Sequence, residues 1–295
     1  MDDSKELELE KAYLETFPLL RHLAYHILGS LTDAEDAVHD VYINVLNKQE
    51  LSEIKNFKSF MCKSVTNKCM DVLKSAQRKR EVYTGIWLPE PLVTEDDPLN
   101  ILVKQYTLSY SFMFLLERLT PIERAVFILR EVFDYSFADI ASFVDKKEPT
   151  CRKILSRGKK KLSQLDVNDH HDKQEVDVPI KDDDVTQAFI NAFDSGDMNQ
   201  LLQLFSEEII YYADGGGVVK VALRPLTYKA VLQLFQFLRG QFQDKQVYKM
   251  CKHQINGESG IVLYEHDVPI AVICFSIENG QIVNIYNQMN PEKIK

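Results

Sequence analysis

The side chains with the clearest chemistry belong to a basic segment that follows Pro149. Four of them stand on the polar side of a predicted helix: Arg152, Lys153, Ser156 and Arg157. Arginine reads guanine through paired hydrogen bonds in the major groove, whereas lysine mainly pairs with phosphate. The lysines at 159–161 fit DNA contact and the dipole of a helix C-terminus equally well. The segment is therefore a candidate DNA-binding helix in which the two arginines are the favoured contacts.

Two helix-start signals place this basic helix in a helix–turn–helix. Thr120-Pro121-Ile122-Glu123 forms a capping box with proline at the first helical position. Ser136-Phe137-Ala138-Asp139 repeats the pattern, and the helix that it opens runs into the polar turn Asp145-Lys146-Lys147. The basic helix comes second, as the recognition helix does in this motif.

Two further helical segments in the first 80 residues carry opposite charges. Three aspartates share the polar face of the first: Asp33, Asp36 and Asp40. Such an acidic face suits a basic protein partner. The second segment, 57–80, mixes basic and aromatic side chains with polar ones, which suits single-stranded DNA. The helical spacing of Phe57 and Phe60 favours core positions over base stacking.

The charge distribution agrees with nucleic-acid contact although the total charge is negative. The chain has 295 residues, enough for two or three domains, and a net charge of −9. Residues 1–166 carry 24 basic and 26 acidic side chains, and the remainder carries 11 and 18. Segment 55–81 holds eight basic and two acidic side chains, and segment 146–161 holds eight basic and one acidic. A nucleic acid would meet these local patches, so the negative total does not exclude DNA.

Several classes of protein are excluded or disfavoured by what the sequence lacks. No run of about 18 apolar residues is present and the N-terminus is charged, so we expect a cytoplasmic protein with no membrane span and no secretory signal. The five cysteines are odd in number and form no CxxC pair, which predicts buried free thiols. His22 and His26 have the spacing of zinc-binding helices, but no third ligand is evident. We therefore expect no metal and no cofactor.

Composition divides the chain into helical and mixed parts. Helical patterns cover 6–80 and about 101–165, and the segment TGIWLPEPLVTEDDPLN (84–100) between them begins a linker that we place at 84–110. An acidic linker at 166–184 precedes an α+β domain at 185–295. The predicted helices of that domain cover 185–205 and 228–239, and its predicted strands cover 208–213, 246–256, 260–266, 269–277 and 281–288. We expect an antiparallel sheet.

Three segments of the helical part resemble a known family. They are DAEDAVHDVYINVLNK, FKSFMCKSVTNKCMDVLKSAQRKRE and RLTPIERAVFILREVFDYSFADIASFV followed by TCRKILSRGKKKL. Within residues 8–165 they resemble regions 2 and 4 of extracytoplasmic-function (ECF) sigma factors, the promoter-recognition subunits of bacterial RNA polymerase. The resemblance implies a sigma region 2 domain at 1–83 and a region 4 helix–turn–helix at 111–165.

The same resemblance implies roles for three sets of residues. The acidic face of Asp33, Asp36 and Asp40 would bind the clamp of core RNA polymerase. The residues near the −10 promoter element would be Asn67, Lys68, Asp71, Lys74 and Arg78. The residues near the −35 element would be Arg152, Lys153, Ser156 and Arg157.

Three short motifs resemble the signatures of the SigJ-like group, whose sigma regions are fused to a SnoaL-like (NTF2-like) α+β domain. They are WLPEP at 87–91, DGGG at 214–217 and NPEK at 290–293. Val218-Val219 follow DGGG, where family members commonly have a basic residue. We expect these motifs to regulate the sigma regions through intramolecular contact. The implied residues are Trp87, Leu88, Pro89, Glu90, Asp214, Gly215, Gly216, Gly217, Asn290, Pro291, Glu292 and Lys293.

Taken alone, the residues allow either a contact between segments or a purely structural role for these motifs. The glycines allow positive φ and close approach of another segment, and Trp87 and Leu88 could anchor the linker there. Alternatively, the glycines form only a hairpin turn and Trp87 closes a core beneath the linker.

Three functions fit the sequence. The favoured one is a sigma factor that binds core RNA polymerase, directs promoter-specific initiation and is regulated in cis by its third domain. The second is an activator that binds DNA without core polymerase, which the acidic 33–40 face disfavours. The third is a ligand-sensing or catalytic SnoaL-like module with Asp214, His253 or His266 as acid or base. No His–Asp pair has a recognisable catalytic spacing, so we expect no enzyme activity, and a small ligand stays open.

Overall fold

The structure, a computed structural model, describes residues 3–46, 56–80, 85–93, 106–166, 182–241 and 247–294. The chain divides into two compact units. The first consists of Met1–Arg80, Asp97–Leu108 and Leu115–His171, and the second of Glu81–Asp96, Ser109–Phe114 and Asp172–Lys295. The WLPEP segment therefore belongs to the same unit as the α+β domain.

Three long helices form the N-terminal part of the first unit: α1 (Asp3–Leu28), α2 (Leu31–Leu46) and α3 (Phe57–Arg80). Gly29, with φ of 73°, ends α1, and the Ser30 hydroxyl accepts a hydrogen bond from the Asp33 amide at the start of α2. Val38, Val41 and Val45 of α2 are buried, as the apolar stripe predicts. The opposite face of α2 is left for charged side chains.

The helix–turn–helix has the predicted start signals. Helix α4 (Tyr110–Leu116) is followed by α5 (Pro121–Phe127), which continues as a π-helical stretch to Val132. Then come α6 (Phe137–Phe143) and α7 (Glu148–Asp166). The Glu123 carboxylate accepts from the Thr120 amide at 3.0 Å, and the Ser136 hydroxyl accepts from the Asp139 amide at 3.1 Å. Both predicted caps are confirmed.

The α+β domain consists of three helices and a six-stranded sheet. The helices are α8 (Asp182–Ser195), α9 (Met198–Leu204) and α10 (Tyr228–Gln241). The strands are β1 (Phe205–Asp214), β2 (Leu226–Thr227), β3 (Tyr248–Ile255), β4 (Glu258–Glu265), β5 (Val268–Glu278) and β6 (Gln281–Gln288). Their order in the sheet is β2-β1-β6-β5-β4-β3.

The expectation of an antiparallel sheet is wrong for one pair, because β1 and β6 run parallel. Short turns join β3 to β4, β4 to β5 and β5 to β6, and these pairs are antiparallel. The connection from β1 to the far edge passes through β2 and α10. Such a long connection permits a parallel neighbour, which two-residue hairpins do not.

The two faces of this sheet bury different groups. On one face Phe189 of α8 and Phe235 of α10 pack with residues such as Ile285 around a cavity of about 520 Å³. On the other face the linker residue Leu88 packs with Tyr110 and Tyr286. Because side chains alternate along a strand, consecutive residues of β1 and β6 reach both sides.

None of the described helices is long and apolar enough to cross a membrane. The five cysteines are free, and four of them are buried. Within the described ranges, no cluster of three potential metal ligands occurs. His22 and His26 are buried, and His26 Nε2 lies 2.7 Å from the Tyr106 carbonyl oxygen.

Candidate functional site

The acidic and basic faces of the first two predicted sites adjoin each other. Asp33, Asp36 and Asp40 are all exposed on α2. Lys68 of α3 is half-buried, and its Nζ lies 2.7 Å from Asp40 Oδ2. An acid assigned to polymerase binding thus pairs with a base assigned to DNA. The pair shows that the acidic face of α2 and the basic face of α3 are neighbours at the surface.

The remaining candidate −10 residues lie along α3. Asn67 is half-buried, while Asp71 and Lys74 are exposed and form an ion pair of 2.9 Å. Arg78 lies within α3, and its side chain is outside the described residues. Phe57 and Phe60 are half-buried.

The candidate −35 residues Arg152, Lys153, Ser156 and Arg157 are all exposed on α7. The Arg152 guanidinium lies over the Phe137 ring, 4.1 Å from its centroid, and 3.7 Å from the Glu148 carboxylate. These contacts connect it to the start of α6 and to its own helix. They leave the basic group at the exposed surface of the helix–turn–helix.

Besides its proposed contact with DNA, Arg157 forms an ion pair that gives it a structural role. Its Nε lies 2.6 Å from the buried carboxylate of Glu123, which also binds Lys161 at 2.6 Å. Burial alone raises the pKa of Glu123, but the hydrogen bonds from Lys161, Thr120 and Arg157 outweigh it and lower the pKa to about 2. Glu123 therefore ties the first turn of α5 to α7.

The three motifs of the second unit meet around one buried carboxylate. Asp214 Oδ2 accepts hydrogen bonds from the Leu88 amide at 3.1 Å and from Lys293 Nζ at 2.7 Å. Asp214 Oδ1 accepts from the Gly216 amide at 2.9 Å. Burial raises the pKa of Asp214, but the Lys293 ammonium and these hydrogen bonds hold it below its usual value. The carboxylate is thus charged and fully paired.

The carbonyl groups of the linker are held by the same group of side chains. The Leu88 oxygen accepts from Lys293 Nζ at 2.6 Å and from Gln288 Nε2 at 3.2 Å. The Pro89 oxygen accepts from Gln288 Nε2 at 3.1 Å and from the Tyr110 hydroxyl at 2.7 Å. We call Asp214, Gln288 and Lys293 the linker-binding cluster.

The glycines of DGGG allow the third motif to approach. Gly216 and Gly217 have φ of 64° and 77°, a region that side chains disfavour. A Cβ at Gly216 would collide with the Asn290 side-chain amide. A Cβ at Gly215 would collide with the Val219 carbonyl. These close approaches bring DGGG against NPEK.

The other predicted residues of this group have different environments. Glu90 is buried, and Trp87 is half-buried with its ring centroid 3.1 Å from Lys293 Nζ. Pro291 and Glu292 are exposed. Neither Asp214 nor the two histidines weighed as catalytic groups, His253 and His266, line the cavity of about 520 Å³.

Sequence reasoning missed three side chains that bind the backbone of residues 88–92. Gln288 and Tyr110 are described above, and Asn256 is the third. Asn256 Oδ1 accepts a hydrogen bond from the Leu92 backbone N–H at 2.9 Å. The backbone N–H of Asn256 donates to the Leu92 carbonyl oxygen at 2.8 Å. Asn256-Gly257 is a recognisable turn signal, but nothing in it indicates a bond to a segment 164 residues away.

Comparisons with known proteins find sigma-70 regions in the chain. Two family models match, Sigma-70 region 2 at residues 12–79 and Sigma-70, region 4 at residues 110–162. The ECF RNA polymerase sigma factor SigJ of Mycobacterium tuberculosis is 25% identical over 288 residues, which cover 93% of this chain and 89% of SigJ. The probable sigma factor SigI of the same organism is 25% identical, covering 92% and 90%.

A solved structure extends the likeness to the fold. The crystal structure of Mycobacterium tuberculosis SigJ matches with a TM-score of 0.75 and 23% identity, over 96% of this chain and 97% of SigJ. The predicted order of the fold is confirmed: two all-α sigma regions are followed by an α+β domain.

The two sigma-70 regions define the chain as an RNA polymerase sigma factor. Within that class it is a homologue of the ECF sigma factor SigJ.

Proposed function

We propose that this sigma factor directs promoter-specific initiation in the bacterial cytoplasm and that its α+β domain restrains it in cis by holding the linker. The proposed domains are region 2 at 1–83, the linker at 84–110, region 4 at 111–165, a second linker at 166–184 and the α+β domain at 185–295. The mechanism is binding and release, without bond chemistry.

The observation that carries the proposal is the hydrogen bonding of the linker residues Leu88 and Pro89 around Asp214. The amide and carbonyl of Leu88 and the carbonyl of Pro89 all bind the linker-binding cluster or Tyr110. Leu88 itself is fully buried. A segment that connects two DNA-binding regions is thus tied to a third domain, which limits the spacing that the two regions can adopt.

The charged faces of the sigma regions supply the other half of the mechanism. We assign the exposed acids of α2 to the polymerase clamp, since they form one acidic helix face. We assign the polar side of α3 to the −10 element and the exposed residues of α7 to the −35 element. Basic side chains there match the negative charge of promoter DNA.

The test is in vitro transcription with bacterial core RNA polymerase and Asp214→Asn in the full chain. The substitution removes the charge that pairs with Lys293 but keeps the size of the side chain. We expect at least a threefold rise in transcript at equal protein concentration, because the linker is released. Asp267→Asn is the matched control, since Asp267 is exposed in the same domain.

Two results would contradict the proposal in different ways. If Asp214→Asn and Asp267→Asn both give wild-type transcript levels, the linker-binding cluster does not restrain initiation. If neither the wild-type chain nor any variant supports initiation on a library of promoters, the proposal that the chain directs initiation fails.

A further inference from the structure

The cavity on the face of the sheet that α8 and α10 cover has the size and lining of a small-molecule site. Its volume is about 520 Å³, within the range of ligand-binding pockets. Most of its walls are apolar, among them Phe189, Phe193, Phe235, Leu263 and Ile285. Close packing normally fills a protein core, so an open space of this size needs an occupant or a function.

Two polar side chains from neighbouring strands break this apolar lining. Tyr211 of β1 and Asn287 of β6 both line the cavity and are both buried. Asn287 Nδ2 donates to the Tyr211 hydroxyl oxygen at 2.7 Å. Asn287 Oδ1 is buried and has no hydrogen-bond partner in the described part of the chain. Buried amide oxygens are nearly always paired, so this one marks a place for a donor.

The charges around the cavity restrict the chemical class of an occupant. Lys220 is the one charged side chain among the described lining residues, and it is exposed in the loop after DGGG. Burial raises the pKa of Tyr211 to about 12, so its hydroxyl is neutral at physiological pH. A charged group placed among these walls would lose its hydration without gaining a buried counter-charge.

We propose that the cavity binds a small, uncharged, mostly apolar molecule that carries a hydroxyl group. The ring or chain of the ligand packs against the phenylalanines, and its hydroxyl pairs with the Asn287 amide and the Tyr211 hydroxyl. A hydroxyl both donates and accepts, so it matches this pair better than a carbonyl or a hydrocarbon.

The test uses three probes of one size with the full chain: thymol, p-cymene and p-isopropylbenzoate. Thymol is p-cymene with a hydroxyl on the ring, and the benzoate is p-cymene with its methyl group replaced by a negatively charged carboxylate. We expect one thymol per chain by isothermal titration calorimetry, with an affinity at least tenfold higher than that of either other probe. Asn287→Leu should reduce thymol binding to the level of p-cymene without changing the affinity for p-cymene.

A second pair of variants locates the site. Ala222→Phe fills the cavity from its loop wall, whereas Leu223→Phe places the same side chain at the exposed neighbouring residue, which does not line it. We expect the first to abolish thymol binding and the second to preserve it. Ala271→Leu, from β5, fills the cavity from the sheet and repeats the test if Ala222→Phe does not fold.

Three results would overturn the proposal. The first is no stoichiometric binding of thymol. The second is tight thymol binding that survives in folded cavity-filling variants. The third is preferential binding of the benzoate, which would make the mouth near Lys220 an anion site. None of these measurements depends on transcription, so they test the cavity independently of the sigma activity.

Discussion

Gly216 has a left-handed backbone conformation, and a side chain at this position would collide with a neighbouring residue. Its φ is 64°, and a Cβ would meet the Asn290 amide. We predict that Gly216→Ala destabilises the second unit by about 1–2 kcal/mol from the backbone alone, plus the cost of moving Asn290. Urea unfolding measures this. Gly240→Ala is the control, because its Cβ would meet nothing within 4 Å; equal effects of the two would contradict the prediction.

Glu123 gives the helix–turn–helix a predictable dependence on acid. Its folded-state pKa of about 2 is below the ordinary glutamate pKa of 4.5, so its contribution to stability is present above pH 4.5 and is lost as the pH falls towards 2. We predict that Glu123→Gln lowers the melting temperature at neutral pH and that the deficit shrinks between pH 5 and pH 2. Thermal unfolding against pH measures it, with exposed Glu208→Gln as control. A deficit independent of pH would contradict this.

Helix α7 carries the proposed DNA contacts, and one of them, Arg157, also stabilises the fold. Arg152 contacts Phe137 and Glu148 at the surface, whereas Arg157 neutralises buried Glu123. We predict that Arg152→Ala weakens binding to −35 DNA by about 1–3 kcal/mol, roughly 5- to 150-fold, and relaxes base preference at one position. Fluorescence anisotropy with a base-substituted promoter set measures this, with exposed Arg224→Ala as control. Uniform weakening across the set would indicate a phosphate contact.

The elements were predictable from sequence where local chemistry decides them. Thr120 and Ser136 marked two helix starts because caps act within a few residues. The parallel pairing of β1 with β6 was not predictable, because it depends on a connection that crosses the sheet. The same distinction applies to the side chains that bind the linker. The motifs indicated Asp214 and Lys293, whereas Gln288 is recognised only when the pairing of β1 with β6 places it beside Asp214.

At the scale of the molecule, we propose that charge assigns core polymerase and promoter DNA to different faces. The chain has a net charge of −9, yet its basic side chains concentrate on α3 and α7. We predict that the double variant Asp33→Asn/Asp36→Asn weakens binding to core RNA polymerase at least fivefold and leaves promoter-DNA affinity unchanged. Asp184→Asn/Asp267→Asn removes the same charge from exposed sites of the α+β domain and serves as control. Equal loss of core binding in both double variants would point to net charge rather than to the α2 face.

The position of Trp87 makes the state of the linker directly observable. It is the only tryptophan of the 295 residues, and its indole ring stacks beneath the Lys293 ammonium. Indole emission shifts to longer wavelength when water replaces a buried neighbour. The intrinsic fluorescence of the unlabelled chain therefore reports whether the linker is docked, and it does so in real time during a stopped-flow encounter with promoter DNA, which contributes no tryptophan emission.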